Sequence, residues 1–190
     1  MSTADRPPRL ALCYATRDGQ SRRIAEHLSR RLTEAGMPAP AQDLAVVQPA
    51  VSDLAAAAMV VLVAAVRYGR HLPEADRFLE VYRSLPSPPP LALASVNLTA
   101  RKPGKTSVTG NTYLRKVIAR HRLAPAVAVA FAGRLDYQHY GWRDRWIIRF
   151  IMLLTGGPTD PTTCIEYTFW PAVDDFAARI VELLRRAALP

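Results

Sequence analysis

Arg9-Leu-Ala-Leu-Cys-Tyr-Ala-Thr16-Arg-Asp-Gly-Gln-Ser21-Arg-Arg-Ile-Ala-Glu-His-Leu28 carries the first regular structure of the chain. Residues 10–14 form an apolar run that reads as a buried strand. Residues 16–21 are polar and contain a glycine, the composition of a turn. Ile24, Leu28, Leu32 and Ala35 then recur at helical spacing, and Gly36 supplies a stop. Strand, tight turn and helix make half of a βαβ unit, and the rest of the chain continues the alternation. Residues 42–46 read as a second strand, and residues 59–66 as an apolar, valine-rich strand buried on both faces. Residues 74–84 form a helix with Phe78, Leu79 and Tyr82 inward, broken by Ser87-Pro-Pro-Pro90. Residues 91–96 and 126–132 read as strands flanking a basic helix over 112–121. A short strand over 165–168 and a helix over 173–187, with Phe176, Ile180 and Leu184 on one face, close the chain. The expected fold class is therefore α/β: a three-layer sandwich, with a five-stranded parallel sheet and helices on both faces. One domain over residues 9–187 accounts for the pattern, with a long insertion near the last strand over 134–161.

Composition narrows the function. The 190 residues are 49% hydrophobic and 22% charged, a globular balance. Two cysteines exclude a disulfide framework and a cysteine-built zinc site, and no His cluster has ligand spacing, so no metal is expected. Residues 1–8 lack the apolar core of a secretory signal. The longest uncharged apolar run, residues 54–66, is thirteen residues, whereas a spanning helix needs roughly twenty. A cytoplasmic protein with reduced thiols is expected, soluble or lying on a membrane surface.

The formal net charge is +9, and its location matters. Residues 81–135 contain no Asp or Glu but nine cations: Arg83, Arg101, Lys102, Lys105, Arg115, Lys116, Arg120, Arg122 and Arg134. The remainder is neutral, with sixteen cations and sixteen acids. A one-sided block of this kind attracts anions. Nucleic acid is not expected, because the stretch from Arg101 to Arg122 lacks interleaved aromatics apart from Tyr113.

In open α/β sheets, ligands bind at the carboxyl ends of strands near a switch point. Thr16, Arg17, Asp18, Gly19, Gln20 and Ser21 lie there, ahead of a helix N-terminus whose free N–H groups favour a phosphate. Thr16 and Ser21 add hydroxyls, and Gly19 permits close approach. Neither Gly-x4-Gly-Lys nor Gly-x-Gly-x-x-Gly is present, which weighs against ATP and dinucleotides. The bland alternative is an ordinary helix cap made by Asp18 and Ser21. The third strand runs into Val66, Arg67, Tyr68 and Gly69, and the fourth into Asn97 and Leu98. Tyr68 could stack on a planar ring.

Thr16-Arg-Asp-Gly-Gln-Ser21 before a helix resembles the phosphate loop of flavodoxins, which bind FMN. Val66-Arg-Tyr-Gly69, Ser95-Val-Asn-Leu98 with Ala100-Arg-Lys-Pro103, Tyr140-x-Trp-x-Asp-Arg145 and Thr155-Gly-Gly157 extend the likeness in order from about Arg9 to Leu184. Together they resemble the bacterial flavodoxin-like protoporphyrinogen IX dehydrogenases (quinone). The resemblance implies a flavodoxin-like fold, an FMN cofactor and a role in haem biosynthesis. It also implies passage of six electrons from protoporphyrinogen IX to three quinones; the expected mechanism is hydride transfer from a porphyrinogen meso carbon to the flavin, with loss of the pyrrole N–H proton. Arg67 could then stabilise the reduced ring, and Arg101 and Lys102 the acidic substrate. No catalytic base is assigned. The competing readings are an NAD(P)H:quinone reductase, for which no second nucleotide fingerprint is visible, and a flavodoxin electron carrier, against which the basic pI near 10.1 counts.

The insertion adds a further expectation. On a helix Trp142, Trp146 and Phe150 share one stripe, with Arg145 and Arg149 flanking it. Trp and Arg beside a large apolar face suit a membrane interface. These five residues are the expected contacts with an anionic membrane surface or a membrane quinone, which places the protein peripherally on the inner face of the cell membrane. A homo-oligomer stays open as another way to cover that face.

Overall fold

The computed structural model describes residues 8–136 and 164–188. Its main sheet runs β1 (Leu10–Ala15), β2 (Ala41–Asp43), β3 (Met59–Arg67), β5 (Leu91–Val96) and β6 (Val127–Phe131), all paired in parallel in the spatial order β2-β1-β3-β5-β6. This is the expected doubly wound sheet, and its order reverses between β1 and β3. A sixth strand departs from the expected five: β4 (Arg70–His71) folds back antiparallel on the end of β3.

Helices cover both faces. α1 (Gln20–Glu34) and α5 (Trp170–Ala187) pack together on one side. α2 (Val51–Ala55), α3 (Pro73–Ser84) and α4 (Thr112–Arg120) lie on the other. The continuous apolar run of β3 now has its cause. Val61 and Val63 belong to the core shared with Ile24, Leu28, Leu32, Phe176 and Ile180. Val60, Leu62 and Ala64 belong to the opposite core, with Phe78, Leu79, Leu114 and Val117. Alternate residues face alternate layers, so every position of a central strand must be apolar. Cys13 sits in the second core, where burial pushes its thiol up to about 12; it packs as a small hydrophobe.

Differences from the sequence reading are local. β2 is three residues, shorter than expected. α5 begins at Trp170, with Pro171 in its first turn, where a missing N–H does no harm. The strand expected over 165–168 is observed as β8 (Cys164–Glu166). It pairs with β7 (Arg134–Asp136) in a separate antiparallel ribbon, outside the main sheet. Among the described residues no helix is long and apolar enough to cross a membrane. Trp142, Arg145, Trp146, Arg149 and Phe150, with most of the 134–161 insertion, lie outside the described residues.

Candidate functional site

A cleft of about 220 Å³ opens at the carboxyl ends of β1, β3 and β5, across the switch point. Three main walls come from segments far apart in sequence, and Tyr113, Gly133 and Arg134 complete the lining. Thr16, Asp18, Gln20 and Ser21 come from the first loop, Val66, Arg67, Tyr68 and Gly69 from the end of β3, and Asn97, Leu98, Arg101 and Lys102 from the turn after β5. Arg17 and Gly19 belong to the first loop without lining the cleft, and Arg17 is exposed.

The first loop is built to leave donors open. Gly19 takes the left-handed conformation, φ +81°, and its N–H donates to Thr16 Oγ1 at 3.0 Å, which tightens the turn into α1. Among the described residues no side chain caps α1, and its first turn holds no acid. The cap alternative therefore fails. Asp18 is turned away to Arg67, and the Ser21 hydroxyl, buried to 1% exposure, has no hydrogen-bond partner among the described residues. A buried hydroxyl without a partner beside three uncapped backbone N–H groups fits an anionic oxygen ligand of phosphate type. Gln20 is committed elsewhere: its Nε2 donates to Thr168 Oγ1 at 2.8 Å and to Glu166 Oε1 at 3.0 Å. What Gln20 adds to the loop is backbone. Burial pushes the Glu166 carboxyl up, but hydrogen bonds from Arg23 and Gln20 outweigh this and hold it below the usual range.

Across the cleft, Arg67 Nη1 reaches both oxygens of Asp18, at 2.7 and 2.9 Å, which ties the second loop to the first. Arg67 and Arg70 pair across β3 and β4, so Tyr68-Gly69 is a two-residue hairpin turn. Both residues have positive φ, 49° and 79°. Glycine does this freely, whereas a tyrosine pays about 1–2 kcal/mol. Tyr68 nevertheless stays 52% exposed at the rim, with the Arg67 guanidinium 5.3 Å from its ring centre. The turn thus sets an exposed aromatic side chain at the cleft mouth.

Asn97 lines the third wall, but its amide is used inside the fold. Its Oδ1 accepts from Ala100 N–H at 3.2 Å and from Asn111 Nδ2 at 3.1 Å, and its Nδ2 donates to Ser95 Oγ at 3.1 Å. Ser95 in turn meets His71 Nε2 at 2.9 Å. Asn111 Oδ1 caps α4 through the N–H groups of Tyr113 and Leu114. This buried chain, His71-Ser95-Asn97-Asn111, shapes the wall and was not visible in the sequence, nor was Tyr113, which also lines the cleft. A signal was present in Asn111-Thr112, an N-cap pair that starts a helix at the sheet's carboxyl end. Of the two expected substrate cations, Arg101 lies 5.9 Å from the Tyr167 ring and its Nη1 donates to Leu98 O at 2.9 Å, whereas Lys102 is exposed.

The chain matches the flavodoxin-domain family over residues 11–162. It is 34% identical over 179 residues to a protein of Escherichia coli (strain K12) named protoporphyrinogen IX dehydrogenase (quinone), covering 94% of this chain and 97% of the relative. A Leishmania major protein of the same name is 36% identical over 181 residues, covering 95% of this chain and 78% of that one. An archaeal flavodoxin superposes with a TM-score of 0.55 at 10% identity, over 93% of this chain and 99% of its own, which is a likeness of fold. A flavodoxin domain implies a flavin cofactor, and the open donors of the first loop agree with one. Sequence matches along nearly the whole chain and a three-walled cleft at the switch point lead to one conclusion: the chain belongs to the flavodoxin-domain family and, within it, to the protoporphyrinogen IX dehydrogenases (quinone), a family of oxidoreductases.

Proposed function

We propose that this chain oxidises protoporphyrinogen IX to protoporphyrin IX with FMN as cofactor, reducing three quinones to quinols per porphyrin formed, as a step of haem biosynthesis. The observation that carries the reading is the cleft itself. One wall offers unpartnered donors for a single phosphate, the second holds an exposed aromatic beside a guanidinium, and the third carries two cations. Bound FMN would supply acceptance of two electrons and a proton at a time from the substrate and their release to quinone. The residues do the rest. Thr16, Ser21 and the first N–H groups of α1 would hold the phosphate. Arg67, fixed by Asp18, would place positive charge beside the ring edge that becomes anionic on reduction. Tyr68 would cover the ring and exclude water. An anaerobic assay of the purified protein with protoporphyrinogen IX, with and without a menaquinone analogue, tests the reading. No quinone-dependent formation of porphyrin would refute it.

Arg101 and Lys102 are proposed to attract the acidic substrate. Replacing both by Ala is expected to raise KM for protoporphyrinogen about tenfold and leave FMN content near the parent value. An unchanged KM would return these two cations to a solvated role. Loss of FMN instead would put them on the cofactor side of the cleft.

The 142–150 segment is proposed to touch an anionic membrane surface and bring the site to lipophilic quinone. Each Arg near such a surface contributes about 1 kcal/mol, so Arg145→Glu with Arg149→Glu is expected to weaken sedimentation with anionic liposomes tens-fold or more at low salt. Parent-like sedimentation of the double variant would end the interfacial reading.

A further inference from the structure

Beside the cleft lies a second depression that the proposed chemistry has not used. It is lined by Arg70, His71, Asp76, Lys116 and Arg120, and it shares Gly69 and Tyr113 with the cleft. The two are therefore neighbours across one tyrosine and one hairpin tip. The charge is one-sided. Asp76, the only carboxylate in the lining among the described residues, is already held by His121 Nε2 at 2.9 Å and by Arg120 Nη1 at 3.2 Å. Arg70 and Lys116 have no acidic partner among the described residues, and α4 contains no acid. Two elements unrelated in sequence, the β4 hairpin and the exposed face of α4, thus bring unpaired cations to one concavity. A solvated basic surface would need neither the concavity nor the shared wall.

We propose that this depression is a carboxylate subsite, in which Arg70 and Lys116, with Arg120 behind them, hold the acidic side chains of the tetrapyrrole while its reacting edge lies over the cleft. The proposal rests on the function proposed above and adds where the substrate's acids sit. Protoporphyrinogen IX carries its two propionates on adjacent rings, so both project from one side of the macrocycle. A single basic depression next to the cleft matches that shape. Arg101 and Lys102, on the cleft's own wall, then draw the substrate in without being its anchor.

The test compares protoporphyrinogen IX with its dimethyl ester on the flavin-loaded protein and on Arg70→Glu with Lys116→Glu, an exposed pair whose exchange leaves both cores intact. For the diacid, KM is expected to rise about ten- to a hundredfold in the variant, with kcat and flavin content near the parent values. The parent is expected to lose a similar factor on the ester, and the variant to lose little more. An unchanged KM in the variant overturns the proposal, as does an ester penalty that is equal in variant and parent. Loss of binding to phosphatidylglycerol vesicles with unchanged KM also overturns it and makes the depression a lipid-headgroup contact. If the parent oxidises neither compound, the proposed function fails by itself. The subsite is then judged by fluorescence titration with protoporphyrin IX, where equal affinity for diacid and ester, or for parent and variant, overturns it.

Discussion

Ser21→Ala is expected to weaken FMN binding about tenfold to a hundredfold while leaving the apoprotein as stable as the parent or slightly more so. The two effects have one cause. The Ser21 hydroxyl is buried at the start of α1 without a partner, a state that costs about 1–3 kcal/mol in a folded chain. A phosphate oxygen would relieve it through a charge-assisted hydrogen bond of roughly 1.5–3 kcal/mol. Alanine removes the penalty and the bond together. Thr16 behaves differently, because its Oγ1 already accepts from the Gly19 N–H at 3.0 Å. Thr16→Ala should therefore weaken the ligand and also lower apoprotein stability by about 1 kcal/mol. The double variant is expected to lose roughly a hundredfold to ten-thousandfold in affinity, as two such bonds vanish. Gly19→Val offers a control of another kind. No atom of the described residues lies within 4 Å of its absent Cβ, so the expected loss comes from backbone strain at φ +81° and from side-chain bulk set against the phosphate that the loop would hold. FMN titration by fluorescence quenching and urea unfolding of the apoprotein read the two quantities separately. Unchanged affinity in the double variant would place the phosphate elsewhere.

The first loop was legible because strand, turn and helix are contiguous, so Thr16 to Ser21 could be read as a unit. β3 was legible for a related reason: burial on both faces demands an unbroken apolar run, and residues 59–66 supply one. What escaped depends on pairing across the sheet. Ser95 on β5 and His71 on β4 are twenty-four positions apart and meet only because both strands flank β3. The link from Asp18 to Arg67 could not be read, since nothing local announces a partner forty-nine residues on. The Tyr68-Gly69 turn was hidden because its first position carries Tyr, where the usual signal is Asn, Asp or Gly. The ribbon of β7 and β8 was half seen: residues 165–168 read as a strand, but no periodicity says that its partner is β7 and not the main sheet.

The buried chain behind the third wall leads to a prediction of similar size. Acid should destabilise this protein through His71 in a pH range set by that residue. Burial pushes its pKa down from 6.5 to about 4, with nearby Asp76 pulling it up and His121 pushing it down. The native state therefore refuses a proton that the unfolded chain accepts below pH 6.5. Stability is full above that value, falls as pH drops from 6.5 towards 4, and levels off below 4, when both states are protonated. The shift corresponds to about 3 kcal/mol in total. Carboxylates elsewhere titrate in the same range, so the comparison must be with His71→Gln, which cannot be charged. At pH 7 the parent is expected to be the more stable of the two, and by pH 4.5 that gap should shrink by about 2–3 kcal/mol in urea unfolding. A gap that does not change with pH would sink the assignment. The consequence reaches the cleft. Asn111 Nδ2 donates to Asn97 Oδ1, and Asn97 Nδ2 donates to Ser95 Oγ, so the consistent next bond runs from the Ser95 hydroxyl to a neutral His71 Nε2. A protonated ring turns that last acceptor into a donor and reverses the end of the chain. Asn97 Oδ1 also holds the Ala100 N–H that folds the turn carrying Arg101 into the cleft wall. The acid-induced loss of stability should therefore begin at this wall, and hydrogen exchange at the Ala100 amide should rise before exchange in β1 or β3 does.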